Sequence, residues 1–172
     1  MKKIPIEKAV KKRYPEGVAL IVCQNKQGRI NVTPVDWFMI CNLKPRYWAV
    51  SLYNKHYSYK IISEQKEFVL CIPSYSQKKD LLYCGKVSGW KTDKMKNCQF
   101  ATIPAKKIKP PLIQDSIACF ECVLTNKHRV IDHTIFIGKI VAAYVSDRTD
   151  KIYNRGEEEL FLWKLDRFLY KI

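Results

Sequence analysis

The sequence predicts an all-β fold with minor helices, on three observations. Segments rich in Val, Ile and aromatic residues recur at 17–24, 29–33, 48–53, 67–72, 117–125 and 134–146, bounded by Gly, Pro, Asn or Lys clusters. Helical patterning is confined to short stretches. Strands and helices do not alternate regularly and no Gly-x-Gly-x-x-Gly is present, which argues against a Rossmann fold. A closed or split barrel removes sheet edges and suits this pattern.

Each element has its own signal. Residues 4–13 read as a short amphipathic helix or an extended lead-in, closed by Tyr14-Pro15. The unbroken apolar run Val18–Cys23 is followed by Asn25-Lys26-Gln27-Gly28, a turn, and then by Arg29–Thr33, so the three form a β-hairpin. Helices are expected at Tyr57–Lys66, with Tyr59 and Ile62 on one face, and at Gln77–Cys84. Residues 86–99 read as an irregular polar loop. Ile108-Lys109-Pro110-Pro111 cannot enter a sheet interior and marks an extended connection. The run Glu159–Tyr170 is too aromatic to be left in water, and is expected to pack on the barrel or to meet a second subunit.

Composition bounds the rest. A chain of 172 residues suits a single domain over 1–172, and 47% hydrophobic residues exclude a disordered chain. No apolar run approaches the roughly 18 residues that span a membrane, and the charged N-terminus lacks an apolar signal core; a cytoplasmic protein is expected. Seven cysteines, mostly inside apolar runs, read as buried free thiols rather than a disulfide framework. In Cys119-Phe120-Glu121-Cys122, residues three apart on a strand face opposite sides, which disfavours a metal pair. The net charge of +15, from 31 basic against 16 acidic side chains, is spread along the chain as a solvated surface and favours anionic ligands.

Three segments stand out: Gly28 to Phe38, whose Asn, Thr, Pro and Trp within seven residues are poor core material, and then Cys84 to Lys94 and Asp132 to Val141. Asn31 and Thr33 stand two apart and share a strand face. Trp37 offers a flat indole surface for a ring, or a core aromatic capping the barrel. Ser58 is a candidate N-cap or near-cap residue of a helix whose free N–H groups suit an anion. Gly89 suggests a backbone conformation closed to other residues, and Lys94 a mobile point charge.

In this order and spacing the segments resemble the flavin reductase-like family, with the flavoredoxins the nearest subgroup, from about Tyr14 to about Val145. The resemblance implies an FMN-binding split β-barrel of Greek-key type and, by family habit, a homodimer. It implies cofactor contacts from Asn31, Thr33 and Trp37, from Ser88 and Gly89 in the loop bordering the flavin, and from Ser58 and Lys94 at the phosphate. His133 matches the family's Gly-Asp-His position, near the flavin and the nicotinamide donor, although Ile131 replaces the glycine. The implied activity is electron transfer from NAD(P)H or a redox protein; the alternative is an electron carrier with no small-molecule substrate. A basic nucleic-acid-binding barrel, stacking bases on Tyr53, Tyr57, Tyr59 and Trp90, is a distant third reading.

Overall fold

The computed structural model describes residues 1–156 and, for 160–164, the backbone. In chain order the elements are α1 (Ile6–Val10), β1 (Glu16–Gly17), β2 (Ala19–Gln24), β3 (Ile30–Val35), β4 (Phe38–Asn42), β5 (Tyr47–Tyr53), α2 (Tyr57–Gln65), β6 (Glu67–Ile72), α3 (Lys78–Lys86), β7 (Thr102–Ile103), β8 (Leu112–Ile113), β9 (Ala118–Val130), β10 (His133–Val145), β11 (Asp150–Asn154) and β12 (Leu160–Lys164). The main sheet is antiparallel with order β3-β2-β6-β9-β10-β5-β4. Two smaller sheets, β1-β11-β12 and β7-β8, flank it.

Strand β2 explains the continuous apolar run. Its Leu20 and Val22 enter one core cluster, with Val32, Val69, Leu81 and Ile152. Its Ala19, Ile21 and Cys23 enter a second, with Val50, Leu52, Phe68 and Phe136. A strand buried on both faces needs no polar alternation. The second cluster also shows that the sheet curls: β2 and β5 meet there although β6, β9 and β10 separate them in the sheet order. The result is the split β-barrel. Gly138 allows β10 to close over the interior, because a Cβ there would sit 2.6 Å from the Phe68 ring.

Several boundaries differ from the sequence reading. Phe38–Asn42 is a strand that the sequence did not mark; it is the outermost strand beside β5, and its Met39 and Ile40 are exposed. Strands β9 and β10 form a longer hairpin than expected, because its outer half, Thr125–Val130, is solvent-exposed and lacks apolar patterning. Helix α1 buries no residue, so it is not the amphipathic element that its sequence suggested. The aromatic run Glu159–Tyr170 lies mostly outside the described residues; within it, Leu160–Lys164 pairs antiparallel with β11.

Candidate functional site

Strand β3 builds the centre of the site. It leaves the turn at Gly28 and presents Asn31 and Thr33 on one face, both buried. Helix α2 brings Ser58 against them. Asn31 Nδ2 donates to Ser58 Oγ at 2.7 Å and to Thr33 Oγ1 at 3.4 Å, while the Thr33 and Ser58 hydroxyls share a hydrogen bond of 2.6 Å. Ser58 is therefore not the helix cap. The N-cap is His56, and Ser58 sits in the first turn with its hydroxyl turned inward. Both hydrogens of the Asn31 amide are engaged inside the protein, so Asn31 holds its neighbours and leaves only its oxygen for outside contact.

The 86–99 segment closes over this cluster. Arg29 donates to the carbonyls of Gly89 and Thr92, both at 2.7 Å, and tethers the segment to the start of β3. Gly89 is buried, and its backbone is not in the left-handed region that the sequence suggested. Its glycine is required by space: a Cβ would stand 2.1 Å from Asn31 Oδ1 and 3.2 Å from the Tyr57 Cβ. Ser88 is exposed at the rim.

Lys94 is neither mobile nor on the surface. It is buried, and its Nζ donates to the carbonyls of Val32 at 2.8 Å and Cys84 at 2.6 Å. Burial lowers its pKa, partly offset by the thiols of Cys84, Cys23 and Cys98. One ammonium hydrogen remains for a ligand. Beneath the cluster the buried Cys23 thiol, pushed up to about 12 by desolvation, stays neutral.

Two clefts meet at Pro34 and His56. The first, about 230 Å³, is lined by Asn31, Thr33, Ser88, Gly89 and Lys94. The second, about 260 Å³, is lined by Arg13, Trp37, Tyr53 and His133. Together they fall within the range of roughly 300–1,000 Å³ usual for cofactor sites. The sequence-derived residues thus gather in two adjoining cavities, with Ser58 behind the first.

Trp37 is 47% exposed and is not a core aromatic. Its ring centroid lies 5.0 Å from that of His133, and the Arg13 guanidinium carbon lies 5.6 Å from the indole. Arg13 also pairs with Glu16 and Asp36. His133 Nδ1 stands 2.8 Å from Asp132 Oδ1. On a regular strand, adjacent side chains face opposite sides, but Asp132 lies in the hairpin turn, where that alternation does not hold. The hydrogen bond from His133 holds the Asp132 carboxyl below its ordinary range. Ile131, the glycine replacement, takes φ 45° and is 90% exposed at the hairpin tip, a costly conformation for a β-branched residue.

His56 lines both clefts and is a candidate that the sequence reading did not mark. Exposed at the junction of the clefts, it has its pKa lowered by partial desolvation and then by Lys94 and His133. Its signal was its place just before a helix start, which had been assigned to Ser58. Of the aromatic residues considered for base stacking, Tyr59 packs on Phe136, Tyr57 and Trp90 pack on each other, and Tyr53 packs on His56 and His133.

A curled antiparallel barrel with a cleft cationic at one end and aromatic at the other defines the class of flavin-binding redox proteins. The matches with known proteins agree. Residues 11–159 match the flavin reductase like domain, and the chain belongs to the flavin reductase-like family. It is 32% identical over 128 residues, 74% of this chain and 71% of the relative, to an uncharacterized protein of Archaeoglobus fulgidus. Its fold is similar to that of flavoredoxin from Desulfovibrio vulgaris, with TM-score 0.81, 25% identity and coverage of 92% and 91% of the two chains. An FMN-binding protein from Thermus thermophilus shares the fold, with TM-score 0.81, 19% identity and coverage of 94% and 93%. Among the described residues, no helix is long and apolar enough to cross a membrane.

Proposed function

We propose that the flavin is FMN, that its phosphate end lies in the Asn31–Lys94 cleft and its ring end in the Trp37–His133 cleft, and that the protein transfers electrons from NAD(P)H or a redox protein. The observation that carries this reading is the junction of the two clefts at Pro34 and His56. One cleft offers an ammonium hydrogen of Lys94 beside the start of α2. The other offers an indole and two imidazoles. A phosphate needs the first and a flat redox ring the second.

When bound, the flavin supplies the hydride or electron chemistry, and the protein binds and orients it. Lys94 sets a positive charge at a fixed point. The Asn31–Thr33–Ser58 network locks the first turn of α2, whose leading N–H groups have no acceptor within their own helix. Gly89 leaves room for close approach of backbone. His133, oriented through Nδ1 by Asp132, lines the ring-end cleft. A homodimer belongs to the same proposal, supported by the exposed apolar side chains of Met39, Ile40 and Leu43 on and beside the outermost strand.

The test is direct. The purified protein should be yellow, and the chromophore released on denaturation should have the mass of FMN. Stopped-flow mixing with NADH and NADPH should then reduce the bound flavin. A colourless protein that takes up neither FMN nor riboflavin would overturn the reading, and FMN reduced by neither nucleotide would leave the electron-carrier role. Sedimentation of the intact protein tests the dimer.

A further inference from the structure

Cys84 and Cys98 stand at the two ends of the segment that borders the first cleft, and their sulfurs are 3.5 Å apart. We propose that these two thiols form a reversible disulfide that fastens the 85–97 loop over the cofactor cleft. The loop between them carries Ser88, Gly89 and Lys94. Three contacts already hold its ends in place. The Cys84 carbonyl accepts from Lys94 Nζ at 2.6 Å, the Gln99 N–H donates to Asp80 of α3 at 3.1 Å, and the partly exposed Cys98 packs against the first core cluster. The gap still to close is that between the 3.5 Å sulfur contact and a disulfide bond of about 2.05 Å.

Cys98 is open to reagent and Cys84 is buried, which sets the order of attack. The Cys98 thiolate attacks a low-molecular-weight disulfide, forms a mixed disulfide and expels one thiolate. The Cys84 thiolate then attacks the Cys98 sulfur and expels the second. Two protein thiols are oxidised, one small disulfide is reduced to two thiols, and the two protein protons pass to the leaving thiolates. A second close pair, Cys71 and Cys119, lies 2.9 Å apart between β6 and β9, but both sulfurs are sealed in the core. Burial holds both thiols protonated, joined by Cys98 and then Asp80 at Cys84 and by Asp80 at Cys98, while Lys94 opposes this at both and the hydrogen bond with Cys84 opposes it at Cys98. Cross-linking is therefore slow at neutral pH and faster in alkali.

Full-length protein incubated with oxidised glutathione should lose two hydrogens in mass, and peptide mapping should join Cys84 to Cys98. Dithiothreitol should reverse the change, and Cys98→Ser should prevent it. The effect on the cleft rests on the flavin reading above: bound FMN should leave the oxidised protein about tenfold more slowly, equivalent to about 1.4 kcal/mol of loop restraint. A product carrying glutathione only at the exposed Cys41, or a bond mapped to Cys71 and Cys119, overturns the proposal. Equal FMN release from both forms overturns the restraint. Cross-linking in a protein that takes up no flavin supports the disulfide and rejects the flavin reading, so the two failures are distinct.

Discussion

The two clefts sit side by side but are built on opposite terms. Around Asn31 the polar side chains are buried and bonded to one another, and the lysine is fixed by two carbonyls. Around His133 the groups are open: Trp37 is nearly half exposed and Asp132 stands in solvent. A group held on every side can bind but cannot adapt, and suits an invariant anionic end. A group facing water can admit a second molecule and suits exchange with a donor or acceptor. The contrast predicts that damage to the first cleft costs binding and stability together, while damage to the second costs rate alone.

The largest effect is expected from Lys94→Met, which removes the donors to two buried carbonyls and the fixed charge. Each orphaned acceptor costs about 1–3 kcal/mol. Melting should show destabilisation of about 2–4 kcal/mol, softened where water replaces the ammonium. Titration should show a greater loss of affinity for FMN than for riboflavin. Equal losses would detach Lys94 from the phosphate and leave it a purely structural lysine.

Gly89→Ala comes next. The new methyl group meets the Asn31 amide, which is held by Ser58 and Thr33 and cannot move freely. Overpacking of this kind costs about 1–3 kcal/mol, read as a lower melting temperature and a lower flavin-to-protein ratio. Unchanged flavin content would show that the network is not part of the binding site.

His133→Asn should leave flavin content intact and stability within about 0.5 kcal/mol, because the side chain is only partly buried and its hydrogen-bond partner Asp132 is exposed. Reduction of bound flavin should slow about tenfold, or 1.4 kcal/mol in the barrier. Loss of stability and flavin together would make His133 a structural residue and break the contrast between the clefts.

The smallest effect concerns His56. Its folded-state pKa lies below the ordinary value of about 6.5, so the unfolded chain takes up the proton first as pH falls. Stability that is present above about 6.5 should decline from there down to the folded-state pKa and then level off. Melting curves of His56→Gln should lose that portion of the decline. Parallel curves for mutant and parent would show that neither burial nor the charges of Lys94 and His133 perturb His56.

Legibility in the sequence followed burial. β2 was read from Val18–Cys23 because burial on both faces leaves an uninterrupted apolar run, while β4 was missed because, Phe38 apart, its side chains are exposed and adjoin a Lys-Pro turn. In the site, Asn31 and Thr33 were legible because a strand repeats every two residues. Lys94 was recognised but given the wrong environment: among so many solvated lysines, nothing local tells a buried one apart. Gly89 was recognised for the wrong reason, since the side chain that excludes a Cβ lies far back in the chain, on β3. His56 was overlooked because its position depends on how α2 meets β3, a contact without local sequence signal.

The bond from Lys94 to Val32 has a consequence for how copies of this chain behave at high concentration. β3 ends the main sheet, and a terminal strand offers unpaired carbonyls on which a strand of another molecule can grow. The ammonium occupies one of them in the middle of β3, and the segment tethered by Arg29 lies across its neighbours. A strand adding to this edge at Val32 would first have to displace the lysine that charges the cleft.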